Sequence, residues 1–297
     1  MPESTDFRTG YVAIVGRPNV GKSTLLNGLI GQKLSITSRK PQTTRQRVTG
    51  ILTLDEAQLL FVDTPGFQTR HDSALNRGMN RIVTQSLAEV DVVLLVIEAL
   101  RFSTADEAVL KLLPAQRPVV LVINKTDKLA ERALLLPFIG QVATRHTFAE
   151  IVPVSATKGH SVAELARIVS RYLPQHPAIY GADEITESSE RFLAAELVRE
   201  KLFRLLGDEL PYVSAVLVDS FTMDGGLRRI HASIIVDKES HKGIVVGAKG
   251  SQLKQIGTQA RIDMEKLFGG KVHLEVWVKV KRGWSQNRQL LKQLGYD

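Results

Sequence analysis

The chain has 297 residues, 43% of them apolar and 24% charged, and no cysteine. That length suits about two domains, and the composition excludes a largely disordered chain, a disulfide framework and thiolate metal sites. The formal net charge is +8, but Lys238 to Asp297 alone holds 12 Lys or Arg against 5 Asp or Glu, a net +7. This excess reads either as a solvated basic face or as a surface for a polyanion, with RNA, DNA and anionic lipid all open.

No apolar run approaches the roughly 18 residues of a membrane span. The first residues, Met1 to Gly10, are polar and lack the apolar core of a signal peptide, so a cytosolic location is expected. Tyr11 to Val15 reads as a β-branched strand, and Gly21 to Ile30 has helical character. Val48 to Leu54 and Gln58 to Val62 read as a hairpin around Asp55 and Glu56. Val92 to Ile97, Val119 to Ile123 and Ile151 to Val154 are further strands, each followed by a helical pattern. Near-continuous apolar strands between helices predict a mixed, mostly parallel α/β sheet with helices on both faces over residues 1–173.

Residues 174–190 carry two prolines, a glycine and many polar groups, and read as a linker. Beyond it, in 191–297, the order changes. Arg191 to Leu206 reads as an amphipathic helix, and Tyr212 to Phe221 and Leu227 to Val236 as strands around a turn with Asp224, Gly225 and Gly226. Two helical pieces flank Gly247 to Gly250, and Val272 to Val280 is a last strand. The order α-β-β-α-α-β predicts a second, α+β domain.

The strongest motif is Gly16-Arg17-Pro18-Asn19-Val20-Gly21-Lys22-Ser23, continued by Thr24, which follows a strand and opens a helix. Glycines let backbone N–H groups approach phosphates, and the helix N-terminus adds its positive end. Lys22 would charge-balance the β and γ phosphates and Ser23 would ligate Mg²⁺. Asn124-Lys125-Thr126-Asp127 selects the base. The Asp127 carboxylate can accept the N1–H and N2–H₂ donors of guanine, which adenine lacks. Lys125 would lie along the base, Asn124 would tie this loop to the phosphate loop, and after Ser155 the Ala156 N–H would donate to guanine O6.

Asp63-Thr64-Pro65-Gly66 follows the second strand of the hairpin. Asp63 would hold Mg²⁺ through water, and the Gly66 N–H would sense the γ-phosphate. Lys33 to Arg47 is polar, basic and aperiodic, and reads as an ordinary loop or a first switch. Its Pro41-Gln42-Thr43-Thr44-Arg45 segment favours the switch, with Thr44 as the Mg²⁺ ligand and Thr43 the alternative. Phe67 stands where Ras-like enzymes carry a water-orienting glutamine, so slow intrinsic turnover is expected.

In the second domain, Gly247-Ala248-Lys249-Gly250 resembles the GxxG loop of a KH module, which clamps about four nucleotides of single-stranded RNA. Lys242, Lys254, Lys281 and Arg282 add charge around it. Trp284 reads as a base-stacking residue or a hydrophobic cap on the domain end, while Trp277, between Val276 and Val278, reads as core. The seven histidines show no ligand spacing.

GRPNVGKS with Thr43-Thr44-Arg45 and the DTPG motif resembles the Era/MnmE/Der branch of GTPases, and a C-terminal type II KH domain narrows the resemblance to the Era family over nearly the whole chain, including the ending QLGYD. The resemblance implies a P-loop GTPase using GTP, GDP and Mg²⁺. It also implies binding to small-subunit ribosomal RNA near its 3′ end, a role in assembling the small ribosomal subunit, a monomer, and peripheral association with the inner face of the cell membrane. A membrane-surface GTPase using the basic domain on anionic lipid is the alternative. By analogy with MnmE-type enzymes, Asn19 either ligates a catalytic K⁺ or stabilises the phosphate loop by hydrogen bonds.

Overall fold

The computed structural model describes residues 6–38, 40, 42–67, 74–207 and 209–294. Residues 1–5 of the polar start, Pro41 of the switch segment and residues 295–297 of the QLGYD ending lie outside them. The chain divides into two compact units: one runs to Ser35 and resumes over Thr44–Glu187, and the other joins Ile36–Thr43 to the chain from Ser188 onward.

The first unit holds a six-stranded sheet made of β1 (Arg8–Val15), β2 (Val48–Thr53), β3 (Ala57–Asp63), β4 (Val92–Glu98), β5 (Val119–Asn124) and β6 (Glu150–Pro153), in the order β2-β3-β1-β4-β5-β6. Of these six strands, only β2 runs antiparallel to its neighbour. The inner parallel strands are buried on both faces, which is why they read as unbroken apolar runs, while the edge strand β6 is only partly buried. Helices α1 (Lys22–Ile30) and α5 (Val162–Ser170) pack on each other and on β3. Val83 and Leu87 of α2 (Ala74–Glu89), Val109 of α3 (Thr104–Leu110) and Phe138 and Val142 of α4 (Leu135–Ala143) form one core with Ala13, Leu95 and Leu121. The carboxyl ends of β1, β3, β4 and β5 therefore deliver the phosphate loop, Asp63, Glu98 and Asn124 to one rim of the sheet, where ligands of open α/β folds sit.

The stretch read as a linker is tied to the first unit as far as Glu187. Its prolines lack N–H donors, but several of its other backbone groups find partners. The Thr9 N–H donates to Pro174 O at 3.1 Å, the His176 N–H to Phe7 O at 3.0 Å and the Ile51 N–H to Ile185 O at 2.9 Å. The fully buried Gln58 accepts from the Ile179 and Tyr180 N–H groups and donates to Tyr180 O and Thr53 Oγ1.

The second unit has a three-stranded sheet of β7 (Ser214–Asp224), β8 (Leu227–Val236) and β9 (Val272–Val280), with β7 and β8 antiparallel and β8 and β9 parallel. A parallel pair needs a long crossover. Here it is α7 (Glu239–Val246) and α8 (Ser251–Phe268), which with α6 (Glu190–Leu205) give the α-β-β-α-α-β order of a type II KH fold. Its core joins Leu197 and Leu202 of α6, Ile256, Ala260 and Met264 of α8, and Ile230, Ala232 and Ile234 of β8.

Helix α6 is less amphipathic than its sequence suggested, because charged Glu196, Arg199, Glu200 and Lys201 are also buried. Part of that burial comes from Ile36–Thr43. The Thr37 N–H donates to Glu200 Oε1 at 3.0 Å, Arg204 Nε to Thr37 O at 3.2 Å and Lys40 Nζ to Leu206 O at 2.6 Å. The loop read as one switch segment is thus divided after Ser35 and again after Thr43.

A short helix, α9 (Arg288–Gln293), was not foreseen. Just before it Trp284 is 1% exposed, and its indole N–H donates to Val213 O at 2.9 Å. Trp277 is 59% exposed. Of the two readings of Trp284 the cap agrees with the structure, whereas Trp277, read as core, does not lie in it. Trp284 caps the domain end and does not offer a ring face for stacking, and Trp277 points away from the core. Alternation along β9 fixed that Trp277 opposes Val276 and Val278, but not which face is covered.

Candidate nucleotide and RNA sites

The phosphate loop closes around the Lys22 ammonium, which is buried and donates to Gly16 O at 3.0 Å and Arg17 O at 3.2 Å. Asn19 takes a left-handed φ of 65°, unusual for a non-glycine residue, and its side chain is exposed. Burial lowers the Lys22 pKa to about 8, against the pull of the nearby Asp63 carboxylate. A buried cation inside a ring of backbone carbonyls is poised for an anion.

Gly21 caps α1 at a φ of 101°, and a Cβ there would lie 2.3 Å from Asn124 Nδ2. That space is needed because Asn124 Nδ2 donates to Val20 O at 2.8 Å, so Asn124 does tie the two loops. Its other end, Oδ1, accepts the Ala156 N–H at 3.0 Å. Asn124 thus takes the same Ala156 N–H that the sequence reading directs to guanine O6. Ser155 Oγ donates to Asp127 Oδ1 at 2.6 Å and orients the carboxylate. Thr126 anchors the turn by donating through N and Oγ1 to Val154 O, at 3.2 and 2.9 Å.

Asp63 is fully buried. Its Oδ2 accepts from Ser35 Oγ at 2.7 Å and Thr44 Oγ1 at 3.3 Å, while Oδ1 has no hydrogen-bond partner among the described residues. Ser23 Oγ lies 2.8 Å from Thr44 Oγ1. Burial pushes the Asp63 pKa up, opposed by Lys22 and the surrounding hydroxyls. An orphaned carboxylate oxygen beside two hydroxyls is an all-oxygen donor set that fits Mg²⁺. Thr44 stands in this cluster. The alternative, Thr43, instead donates to Lys40 O at 2.8 Å.

Thr64 Oγ1 donates to Ile14 O at 2.9 Å and holds the start of the Thr64-Pro65-Gly66 turn. A Cβ at Gly66 would fall 2.8 Å from the Pro18 backbone, so this turn runs against the phosphate loop only because position 66 is glycine. Phe67 packs on the helix-covered core and offers no hydrogen bond to a water.

Two carboxylates escaped the sequence reading. Arg17 Nε donates to the fully buried Asp106 Oδ2 at 3.1 Å, and Arg17 NH2 meets Glu98 Oε2 at 3.2 Å. Lys125 Nζ meets the same Glu98 oxygen at 3.0 Å. Partial burial would raise the Glu98 pKa, but Lys125 and Arg17 outweigh it and hold the carboxyl below its usual range. Sequence separation hid these pairs, because the sheet order alone brings them together.

In the second unit Gly247, Lys249 and Gly250 all have positive φ, at 70°, 50° and 78°. This kinked turn ends α7 and starts α8. A groove of about 380 Å³ runs beside it, lined by Gly250, Leu253, Lys254, Gly257, Thr258, Arg261, Leu274 and Val276. Of the expected RNA contacts, Gly250 and Lys254 line it. Ala248 and Lys249 are exposed on the turn, whereas Lys242, Lys281, Arg282 and Trp284 do not line the groove. Gly257 was missed, although a glycine inside a helix costs about 1 kcal/mol relative to alanine and so signals a local need for space. A Cβ there would approach only Val276, at 3.8 Å, so its absence leaves the groove open.

Residues 11–125 match the family model described as 50S ribosome-binding GTPase, and residues 209–285 match the KH domain model. The chain is 57% identical over 293 residues to GTPase Era of Chromobacterium violaceum and 55% identical over 294 residues to that of Nitrosomonas eutropha, covering 99% of both chains in each case. It is also similar to the crystal structure of a point-substituted Aquifex aeolicus Era bound to GDP·AlF4⁻, with a TM-score of 0.94, 41% identity and coverage of 98% of this chain and 99% of that one. A structure of Era in complex with MgGDPNP and nucleotides 1506–1542 of 16S ribosomal RNA gives a TM-score of 0.93 at the same identity and coverage.

Proposed function

The chain belongs to the Era family of GTPases, and on that premise we propose that it couples its GTP cycle to single-stranded RNA near the 3′ end of small-subunit ribosomal RNA and assists assembly of that subunit. The observation that carries the proposal is the pairing, in one chain, of a guanine-nucleotide site with a GxxG turn opening onto a groove lined by Lys254 and Arg261. The Era complex with nucleotides 1506–1542 supports the choice of RNA.

In the nucleotide site, Lys22 and the backbone N–H groups of the phosphate loop bind the β and γ phosphates, and Asp127 accepts the two guanine donors. Ser23 and Thr44 would hold Mg²⁺, with Asp63 acting through water, and the ion would supply charge compensation for the phosphates. The Gly66 N–H, placed against Pro18, reports the γ-phosphate. Because Phe67 cannot orient the attacking water, turnover is slow and needs further charge compensation. A K⁺ held by the Asn19 side-chain oxygen would supply it.

Binding of an RNA spanning nucleotides 1506–1542 should be tight with the GTP analogue GDPNP and weak for a scrambled RNA of equal length. Equal affinity for both RNAs would sink the proposal. The membrane-surface reading has its own arm. Among the described residues no helix is long and apolar enough to cross a membrane, so that reading rests on surface charge and predicts stronger capture by phosphatidylglycerol vesicles than by the RNA.

A further inference from the structure

We infer that Glu98 is a positioning residue that links the phosphate loop to the base-side Lys125 through one carboxylate oxygen, so that base and phosphates are released as a joint event.

The backbone fixes Glu98 first. It ends β4 directly opposite Asn124 in the parallel β4–β5 register. The Ala99 N–H donates to Asn124 O at 2.9 Å and the Arg101 N–H to Glu98 O at 3.0 Å, so the strand turns sharply just after Glu98. The carboxylate cannot wander far from the rim of the nucleotide site.

Its Oε2 then receives two cations, Lys125 at 3.0 Å and Arg17 at 3.2 Å. These belong to different motifs. Arg17 lies in the loop whose own carbonyl, Arg17 O, accepts from Lys22. Lys125 sits in the base-recognition tetrapeptide at a φ of 67°. Such a conformation is costly for a side-chain-bearing residue and persists only where neighbours hold it. Asn124, Thr126 and Glu98 are those neighbours.

The far end of Arg17 is anchored separately. Asp106 Oδ2 takes Arg17 Nε and also the Ser103 N–H and Oγ, at 2.9 and 2.7 Å, in the box that caps α3. Arg17 therefore stays in place, still paired with Asp106, if Glu98 is removed, whereas Lys125 loses its carboxylate. Glu98 thus acts mainly on Lys125, and through it on the base.

The test is release of fluorescent GDP from the full chain in Mg²⁺, by stopped flow. Glu98→Ala should speed release about tenfold, the effect expected for one charge-assisted hydrogen bond. Lys125→Ala should do the same, and the double variant should be little faster than either single. Independent roles would instead multiply to about a hundredfold. A merely structural role for Glu98 would lower the melting temperature without producing this non-additivity. Should Glu98→Ala fail to fold, Glu98→Gln keeps the shape while its amide opposes one of the two cations, and it should show an intermediate acceleration. Unchanged release in a folded variant, or multiplicative effects, would overturn the inference.

Discussion

The two units meet phosphate in opposite ways. The first buries its lysine: Lys22 lies at 6% exposure inside a loop held by Asn124 and Glu98 at two strand ends. The second leaves Lys249 exposed on a turn, beside an open groove. A buried site gains strength per contact and loses almost everything when one partner goes. An exposed one works by summed charge and shape, screened by salt. Substitutions in the first unit should therefore act steeply and selectively, and those in the second more gradually and with strong salt dependence.

The sharpest break is expected at Asp127. Asp127→Asn replaces an acceptor with a donor, which suits the carbonyl of xanthine, and the preference between GTP and XTP should move by about a thousandfold or more. Unaltered GTP affinity in a binding titration would dismiss this base assignment. Next comes the exposed turn. Ala248→Asp with Lys249→Asp sets two carboxylates against a phosphate backbone, and RNA affinity should fall about a hundredfold at low salt. GDP affinity, measured on the same preparation, should hold.

Two tests of about tenfold sharpen the contrast. GTP hydrolysis should run about tenfold faster in K⁺ than in Na⁺ at matched ionic strength, and Asn19→Ala should erase the difference while sparing GTP affinity. Equal rates in both salts would leave Asn19 a loop-stabilising role. Gly257→Phe should fill the groove between α8 and β9 and weaken RNA about tenfold without touching nucleotide. Undiminished RNA affinity would move the contact elsewhere.

The smallest effect at neutral pH concerns protons. Lys22 has a pKa of about 8 in the nucleotide-free protein, and bound phosphates raise it. Binding therefore favours the protonated form. GDP affinity is full below pH 8 and declines as pH rises above it, about tenfold by pH 9. Calorimetry near pH 8.5 in two buffers of different ionisation enthalpy should detect proton uptake on binding. No uptake would mean that Lys22 is already fully charged without phosphate.

The same contrast explains what the sequence disclosed. The nucleotide motifs are short, contiguous and placed at strand ends, so backbone geometry carries most of their meaning. Asn124 could be placed as the tie between two loops from order alone, whereas order left Thr43 and Thr44 both open. Glu98 and Asp106 could not be placed: the Ser103–Asp106 box marks only a helix start, and nothing local marks the pairing of either carboxylate with Arg17, more than 80 residues earlier in the chain. The groove residues Leu253, Arg261 and Leu274 are similarly dispersed over a helix and a strand. The sequence left Trp284 open between stacking and capping for another reason: its cover involves Val213, far back in the chain. The split of the switch segment at Ser35 and Thr43 arose from α6, whose buried Glu200 and Arg199 looked like a solvent face.

The buried Gln58 has a practical corollary for dissecting the molecule. Its amide satisfies four partners, three of them in the Ile179–Tyr180 backbone. A G domain expressed to Leu173, where the sheet and helices end, would leave this amide facing a bare strand, together with the Ile51 N–H. One expressed to Glu187 would keep both, and should show the higher melting temperature and the slower cleavage by trypsin.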